Sequence, residues 1–216
     1  MKLFDVHTHR LNIPNSLFNA EEKIDSLSSQ QYFSIGLHPW NLYDRWEEKW
    51  EEIRQYVSNK NCLAIGEAGF DRLQGPNLSI QKDAFEAQAI TAKAEEIPLI
   101  LHCVKGHDLL LEYLKKTASP PHIIWHGWNL KAHLASQLLD FPVYFSFGKA
   151  VMKADSNASH WLKNCPIDRI FFETDDALQS IDSIYEAASV ILGRPVESLK
   201  KQVIENWNRI SSRKIK

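Results

Sequence analysis

Residues 3–10 read LFDVHTHR, and the alternation inside this stretch decides the fold. Leu3 to Val6 reads as an apolar strand. Successive strand side chains point to opposite faces, so Asp5, His7 and His9 form one polar face, and the two histidines leave the same side and can grip one ion together. Burying that face inside a barrel is costly unless a cation compensates it. Taken alone, an HxH pair is a modest signal, as readily coincidence as ligand pair.

Further along the chain the pattern repeats. Glu67 stands in AIGEAGFD, where flanking glycines let the backbone turn sharply; His102 ends PLILH, His126 ends HIIWH, and Asp175 closes RIFFETD. Each follows a short apolar run. A solitary histidine after such a run is more often a packing residue than a ligand, but two on consecutive strands, beside the others, reverse that reading. In barrels of parallel strands the C-terminal strand ends open at one mouth, so residues distant in sequence converge there. Imidazole and carboxylate suit a divalent cation.

Apolar runs and helical periods alternate throughout. Tyr32 to Leu37, Cys62 to Ile65, Leu99 to Leu101, His122 to Trp125, Val143 to Phe147 and Ile170 to Phe172 read as further strands. Between them, Trp46, Trp50, Ile53 and Val57 mark an amphipathic helix behind a cap-like Asp44, and another helix is capped by Asp155. Two helices close the chain, one through Ile184, Ala188 and Ile191, the other through Val196, Leu199, Val203 and Ile210. Strands separated by helix-sized gaps imply right-handed crossovers and a parallel sheet. No glycine-rich phosphate loop follows the first strand, where an open dinucleotide fold needs one. The expectation is an α/β, TIM-like barrel, distorted, with seven strands instead of eight.

The bounds are consistent with this. A chain of 216 residues, 44% hydrophobic, with no composition shift, is read as a single domain over 1–216. A net charge of -2 provides no global field for a polyanion. The basic stretch from Arg194 to Lys216 and the acidic run Glu47, Glu48, Glu51 and Glu52 read as solvated helix faces. The amino-terminal stretch is no secretory segment and no apolar run has spanning length, so a soluble, cytoplasmic protein away from membranes is expected. Cys62, Cys103 and Cys165 are odd in number and lack CxxC spacing, which fits reduced thiols. Cys103 follows His102 directly and so points to the opposite face, a poor arrangement for a nucleophile and its base.

Asp175 is the candidate proton acceptor, since an aspartate there can both bind metal and take a proton from a bound water. His38, in GLHPW, either holds a substrate phosphate or stabilises a turn. Lys105 and Lys149 are candidate phosphate partners. Of Trp40, Trp125, Trp128 and Phe147, only Trp128, beyond a strand end after Gly127, is read as a surface on which a base stacks. His107, His122, His133 and His160 show no ligand spacing and receive no role.

FDVHTHR, SIGLHPW, AIGEAGFDR, QKDAFEAQ, PLILHC, IIWHGW, FFETD and ENWNRI, in this order over nearly the full length, resemble the TatD family of metal-dependent deoxyribonucleases and hydrolases within the amidohydrolase superfamily. The resemblance implies two divalent ions, zinc, manganese or magnesium. His7, His9 and Asp175 would hold one, His102 and His126 the other, with Glu67 between them and catalysis shared by Asp175 and Glu67. It implies phosphodiester cleavage, as a 3' to 5' exonuclease on single-stranded DNA, with no obligate protein partner. Some relatives act on aminoacyl-tRNA esters. Three departures stand out: Arg10 to Ile35 is too short for the family's extra strand and helix, Val104 replaces an arginine, and Asp176 and Ala177 replace a small residue and proline. Hydrolysis of an ester, amide or lactone uses the same six ligands, and a metal-binding module without catalysis is a third reading.

Overall fold

The protein, seen in a computed structural model that describes residues 2–20 and 24–215, is built on eight parallel strands. They are β1 (Asp5–Thr8), β2 (Ser16–Asn19), β3 (Tyr32–Ile35), β4 (Cys62–Asp71), β5 (Leu99–Val104), β6 (Ile123–Trp125), β7 (Val143–Phe147) and β8 (Ile170–Phe172). Each pairs with its neighbour in sequence. The TIM-like α/β barrel expected from the strand-end residues is therefore present, but with eight strands instead of seven. The strand that sequence reasoning missed is β2, whose four residues are all buried and show no alternation. A loop without any α-helix leads into it, since parallel pairing needs only enough chain to return to the strand base. Arg10 to Ile35 thus holds the extra strand, and among the described residues it contains no α-helix, only a 3-10 turn at Ile24–Ser26.

The later crossovers carry helices: α1 (Trp46–Arg54), α2 (Leu78–Ala94), α3 (His107–Lys116), α4 (Ala132–Ser136), α5 (Asn157–Asn164), α6 (Ile181–Leu192) and α7 (Val196–Ile210). The period seen in sequence buries Trp50, Ile53 and Val57. Two caps differ from expectation. Arg45, in the left-handed region at φ 69°, precedes α1 without a side-chain cap, so Asp44 does not serve. Ser156 caps α5 by accepting the Ser159 N–H, one residue beyond Asp155. No helix among the described residues is long and apolar enough to cross a membrane.

The seam between β8 and β1 is where the barrel is distorted. One bridge, Thr8 to Asp175, joins them, through Asp175 N–H to His7 O at 3.0 Å and His9 N–H to Asp175 O at 3.2 Å. Buried Asp5 reinforces the seam by accepting the Thr174 N–H at 3.0 Å and its hydroxyl at 2.6 Å. From outside, Trp207 of α7 packs on Phe4 with ring centroids 5.2 Å apart, and Asn206 donates to the carbonyls of Ile167 and Ile170. The late ENWNRI stretch therefore acts as a structural clasp on the closing strand.

Candidate metal centre

The strand ends bring the six sequence-predicted ligands together, five of them lining one cleft and His7 fully buried against Glu67. His7 Nε2 lies 2.8 Å from Glu67 Oε1 and 3.6 Å from Asp175 Oδ1; His9 Nε2 lies 3.8 Å from Glu67 Oε2 and 3.5 Å from Asp175 Oδ1. On the other side, His126 Nε2 is 3.0 Å from Glu67 Oε1 and 3.4 Å from His102 Nδ1. Among the described residues two groups have donor atoms within 4.8 Å of one another: His7, His9, Glu67 and Asp175, and His38, Glu67 and His102. Glu67 belongs to both. The cleft, of about 350 Å3, is lined by His9, His38, Trp40, Asn41, Glu67, His102, His126, Asp175 and Asp176. A second cleft, at the opposite barrel end, is lined by Lys93, His122 and Arg209 among others and contains none of the six.

Local structure explains why these side chains converge. β4 continues past the expected Ile65 to Asp71, with a register shift between Ile65 and Ala68 where Glu67 sits. Gly69, at φ 154°, must lack a side chain, because a Cβ would lie 1.9 Å from the His102 carbonyl oxygen. That close approach lets β4 and β5 present Glu67 and His102 side by side. The QKDAFEAQ stretch contributes two glutamines seven residues apart, on one face of α2. Gln88 accepts the Leu37 N–H at 2.7 Å and donates to the Leu37 carbonyl, holding the backbone just before His38. Gln81 does the same for Asp71, at 2.7 and 2.9 Å. Asp175, at φ 54°, takes a left-handed conformation that aspartate tolerates better than most residues, and the seam bridge fixes it there.

The electrostatics are those of a site in which protons stand where cations belong. Burial alone would push His7 and His126 down, but the Glu67 carboxylate outweighs it and holds both above the ordinary imidazole range. Burial would raise Glu67, yet His126 and His7 hold it well below the carboxylate range. Asp175 is likewise lowered, burial being outweighed by His7. Neither ring nitrogen of His7 makes a properly directed hydrogen bond, although both are buried. Buried imidazoles turned toward a shared buried carboxylate fit a divalent cation by donor chemistry once their protons are released.

Of the two roles considered for His38, the structure shows the turn-stabilising one. Its Nδ1 accepts the Trp40 N–H at 3.2 Å, stabilising the turn, and its Nε2 points to Glu67 Oε2 at 3.5 Å. Burial pushes it down to about 4, so it faces the cleft as a neutral ring and not as a cation. Trp128 must be corrected. It is fully buried against Trp125 and Phe145, at centroid distances of 4.8 Å each, because the turn after Gly127 folds the indole into the core. Lys105 is exposed and is not among the cleft's lining residues; its carbonyl instead accepts from Arg72. Lys149 pairs with Asp176 at 3.1 Å. The aromatic at the mouth is Trp40, 44% exposed, whose Nε1–H donates to Asp71 at 2.6 Å. Sequence reasoning gave no role to Asp71, to Asn19, which donates to Glu67 at 3.4 Å, or to Glu173, 3.7 Å from His126 Nδ1. Asp71 and Glu173 lie inside quoted motifs, four residues after Glu67 and two before Asp175, and that spacing was the available signal. Burial pushes the Cys103 thiol up, consistent with its dismissal as a nucleophile.

A buried carboxylate shared by imidazoles at the mouth of a parallel barrel is an arrangement suited to a metal-dependent hydrolase. Residues 6–211 match the sequence model of the family described as TatD related DNase, and the chain belongs to this TatD family of metal-dependent hydrolases. Among its relatives, an uncharacterized metal-dependent hydrolase, YabD, of Bacillus subtilis is 31% identical over 147 residues, covering 67% of this chain and 58% of YabD. This chain thus matches less than two thirds of YabD's length. An uncharacterized metal-dependent hydrolase of Haemophilus influenzae is 24% identical over 83% of this chain and 77% of its own. In fold, the chain is similar to the TatD homologue YjjV of Escherichia coli, with a TM-score of 0.78 at 17% identity over 97% of both chains.

Proposed function

We propose that the protein is a phosphodiesterase that releases nucleotides from the 3' end of single-stranded DNA, using two divalent ions, zinc, manganese or magnesium. The observation that carries this reading is Glu67, a buried carboxylate common to two overlapping ligand groups at one cleft. His7, His9 and Asp175 would hold one ion, His102 and His126 the other. Bound there, such ions lower the pKa of a water and neutralise charge at the attacked phosphorus.

The remaining work falls to the chain's own groups. Asp175 is one-third exposed and so is the ligand carboxylate best placed to accept a proton from an attacking water. His38, neutral and with Nδ1 occupied as an acceptor, offers an Nε2–H to a substrate oxygen. Trp40, exposed at the rim, offers a stacking face to a base. A cleft of about 350 Å3 is at the small end of ligand sites and suits one terminal nucleotide better than a duplex. Two of the three free cysteines are buried, in keeping with a cytoplasmic setting.

One observation favours a second reading. Among the described residues no lysine or arginine lines the cleft, and Lys149 is paired with Asp176, so an extended polyanion meets no cationic side chain in that lining. Hydrolysis of a smaller ester, amide or lactone fits that rim. Incubating the metal-loaded protein with end-labelled single-stranded DNA and, separately, with an ester panel discriminates the readings. Release of mononucleotides from the 3' end is expected. Ester turnover without nucleotide release replaces the nuclease with the second reading, and two bound ions without any turnover indicate a metal-binding module.

A further inference from the structure

Asp71 is a carboxylate beside the mouth that the hydrolytic reading does not use. It is 2% exposed. Its Oδ1 accepts the N–H groups of Leu73 at 2.7 Å and Gln74 at 3.1 Å, and its Oδ2 accepts the Trp40 indole N–H at 2.6 Å. Gln81 clamps its peptide from both sides. A carboxylate so held has one orientation, and in it Oδ2 lies 3.4 Å from His102 Nε2.

Three N–H donors keep Asp71 an acceptor at both oxygens, so the nitrogen it faces is satisfied only by carrying a proton. A neutral imidazole protonated on Nε2 has its lone pair on Nδ1. In this structure Nδ1 is the His102 nitrogen that faces His126. We propose that Asp71 is a positioning residue that locks His102 in the Nε2–H tautomer, so that His102 offers Nδ1 to a cation, while Trp40 locks Asp71. This rests on the metal-centre reading for the identity of the ligand, but not for the tautomer, which belongs to the metal-free protein. Carboxylates behind ligand histidines commonly fix both ring orientation and tautomer.

The test is a long-range nitrogen–proton correlation spectrum of the metal-free protein labelled with nitrogen-15 in histidine. The expected result is His102 protonated at Nε2 and bare at Nδ1. Protonation at Nδ1 overturns the proposal whether or not any variant folds. In Asp71→Asn the amide places an N–H group toward His102, and the expected result is a switch of the proton to Nδ1. Divalent-ion affinity at one of the two sites should then fall about 10- to 100-fold. Trp40→Phe, which keeps a ring but removes the indole donor, should lose less. A folded Asp71→Asn protein with the wild-type tautomer and wild-type manganese affinity also overturns it. A wild-type protein that binds no zinc, manganese or magnesium overturns the metal-centre reading instead, and the tautomer measured without metal is then judged separately.

Discussion

Glu67→Gln is the sharpest perturbation of this site, because it preserves shape and removes one charge. In the wild type, the Glu67 carboxylate faces His7 at 2.8 Å, His126 at 3.0 Å, His38 at 3.5 Å and His9 at 3.8 Å. Both ligand groups include it, so a single neutral amide should weaken both ions, whereas Asp175→Asn or His102→Ala touches one group each. Loss of a supporting outer group typically costs 10- to 100-fold in metal affinity, so loss of a shared ligand should cost at least about 100-fold per ion. At a metal concentration about 100-fold above Kd, each ion stabilises the wild type by about 2.7 kcal/mol. For a chain of this size that is a rise of about 5–11 °C in Tm per ion. After a 100-fold loss the same metal concentration equals Kd, the gain drops to about 0.4 kcal/mol, and the shift to about 1–2 °C. The metal-free variant should fold, because His7 and His126 simply release their protons once their partner is neutral. Thermal denaturation with and without manganese, paired with elemental analysis after dialysis, measures both quantities. A Glu67→Gln protein that retains two ions and the wild-type shift refutes the shared-carboxylate centre.

His38→Ala should lower kcat/KM by about 100-fold, the cost of losing one preorganised donor, while leaving two ions bound; loss of an ion would make His38 a ligand instead. Metal binding should release protons and weaken on acidification. His7 and His126 are raised above ordinary imidazole by Glu67, so protons compete with metal up to a higher pH than for free histidine. Calorimetry in buffers of different ionisation enthalpy between about pH 6 and 8 reads this directly, and an affinity flat over that range counts against it. Gly69→Ala, whose Cβ would lie 1.9 Å from the His102 carbonyl oxygen, should cost more than about 3 kcal/mol in urea unfolding. A loss below about 1 kcal/mol would show that β4 and β5 can part without penalty. Trp128→Ala should lose about 3–5 kcal/mol of stability, as truncation of a buried aromatic does, and leave KM unchanged in the folded protein.

The convergence of the six ligand-type side chains was legible because donors recur after several apolar runs; any one of them alone reads as a packing residue, and only the recurrence on successive strands points to a common mouth. His7, Glu67, His102, His126 and Asp175 come from the ends of five strands, and a common mouth brings each of them close to Glu67 or to another member of the set. What sequence could not show is which aromatic faces the cleft. Trp40 and Trp128 both sit just past strand ends, and their fates are set by the following turn. Pro39 and the His38 cap hold Trp40 outward, while Gly127 at φ 62° turns Trp128 into the core. The missed β2 has the same origin. Its four buried residues lack the alternation that would announce a strand, and only pairing on both flanks makes it one.

Two crossovers of the barrel, β1 to β2 and β2 to β3, lack α-helices among the described residues, yet β1 carries His7 and leads directly into His9. β1, backed by Trp207 of α7 on Phe4, depends also on the seam with β8. Two backbone hydrogen bonds across that seam join site residues, Asp175 N–H to His7 O and His9 N–H to Asp175 O, and the Asp5–Thr174 pair supports them from the adjoining positions. The backbone hydrogen bonds that close the barrel are thus the same ones that set the spacing of His7, His9 and Asp175. Closing the sheet and assembling the first ligand group are therefore one event. Any substitution that opens the seam should disturb His7, His9 and Asp175 before it disturbs His102 and His126, which β5 and β6 hold through their own pairing.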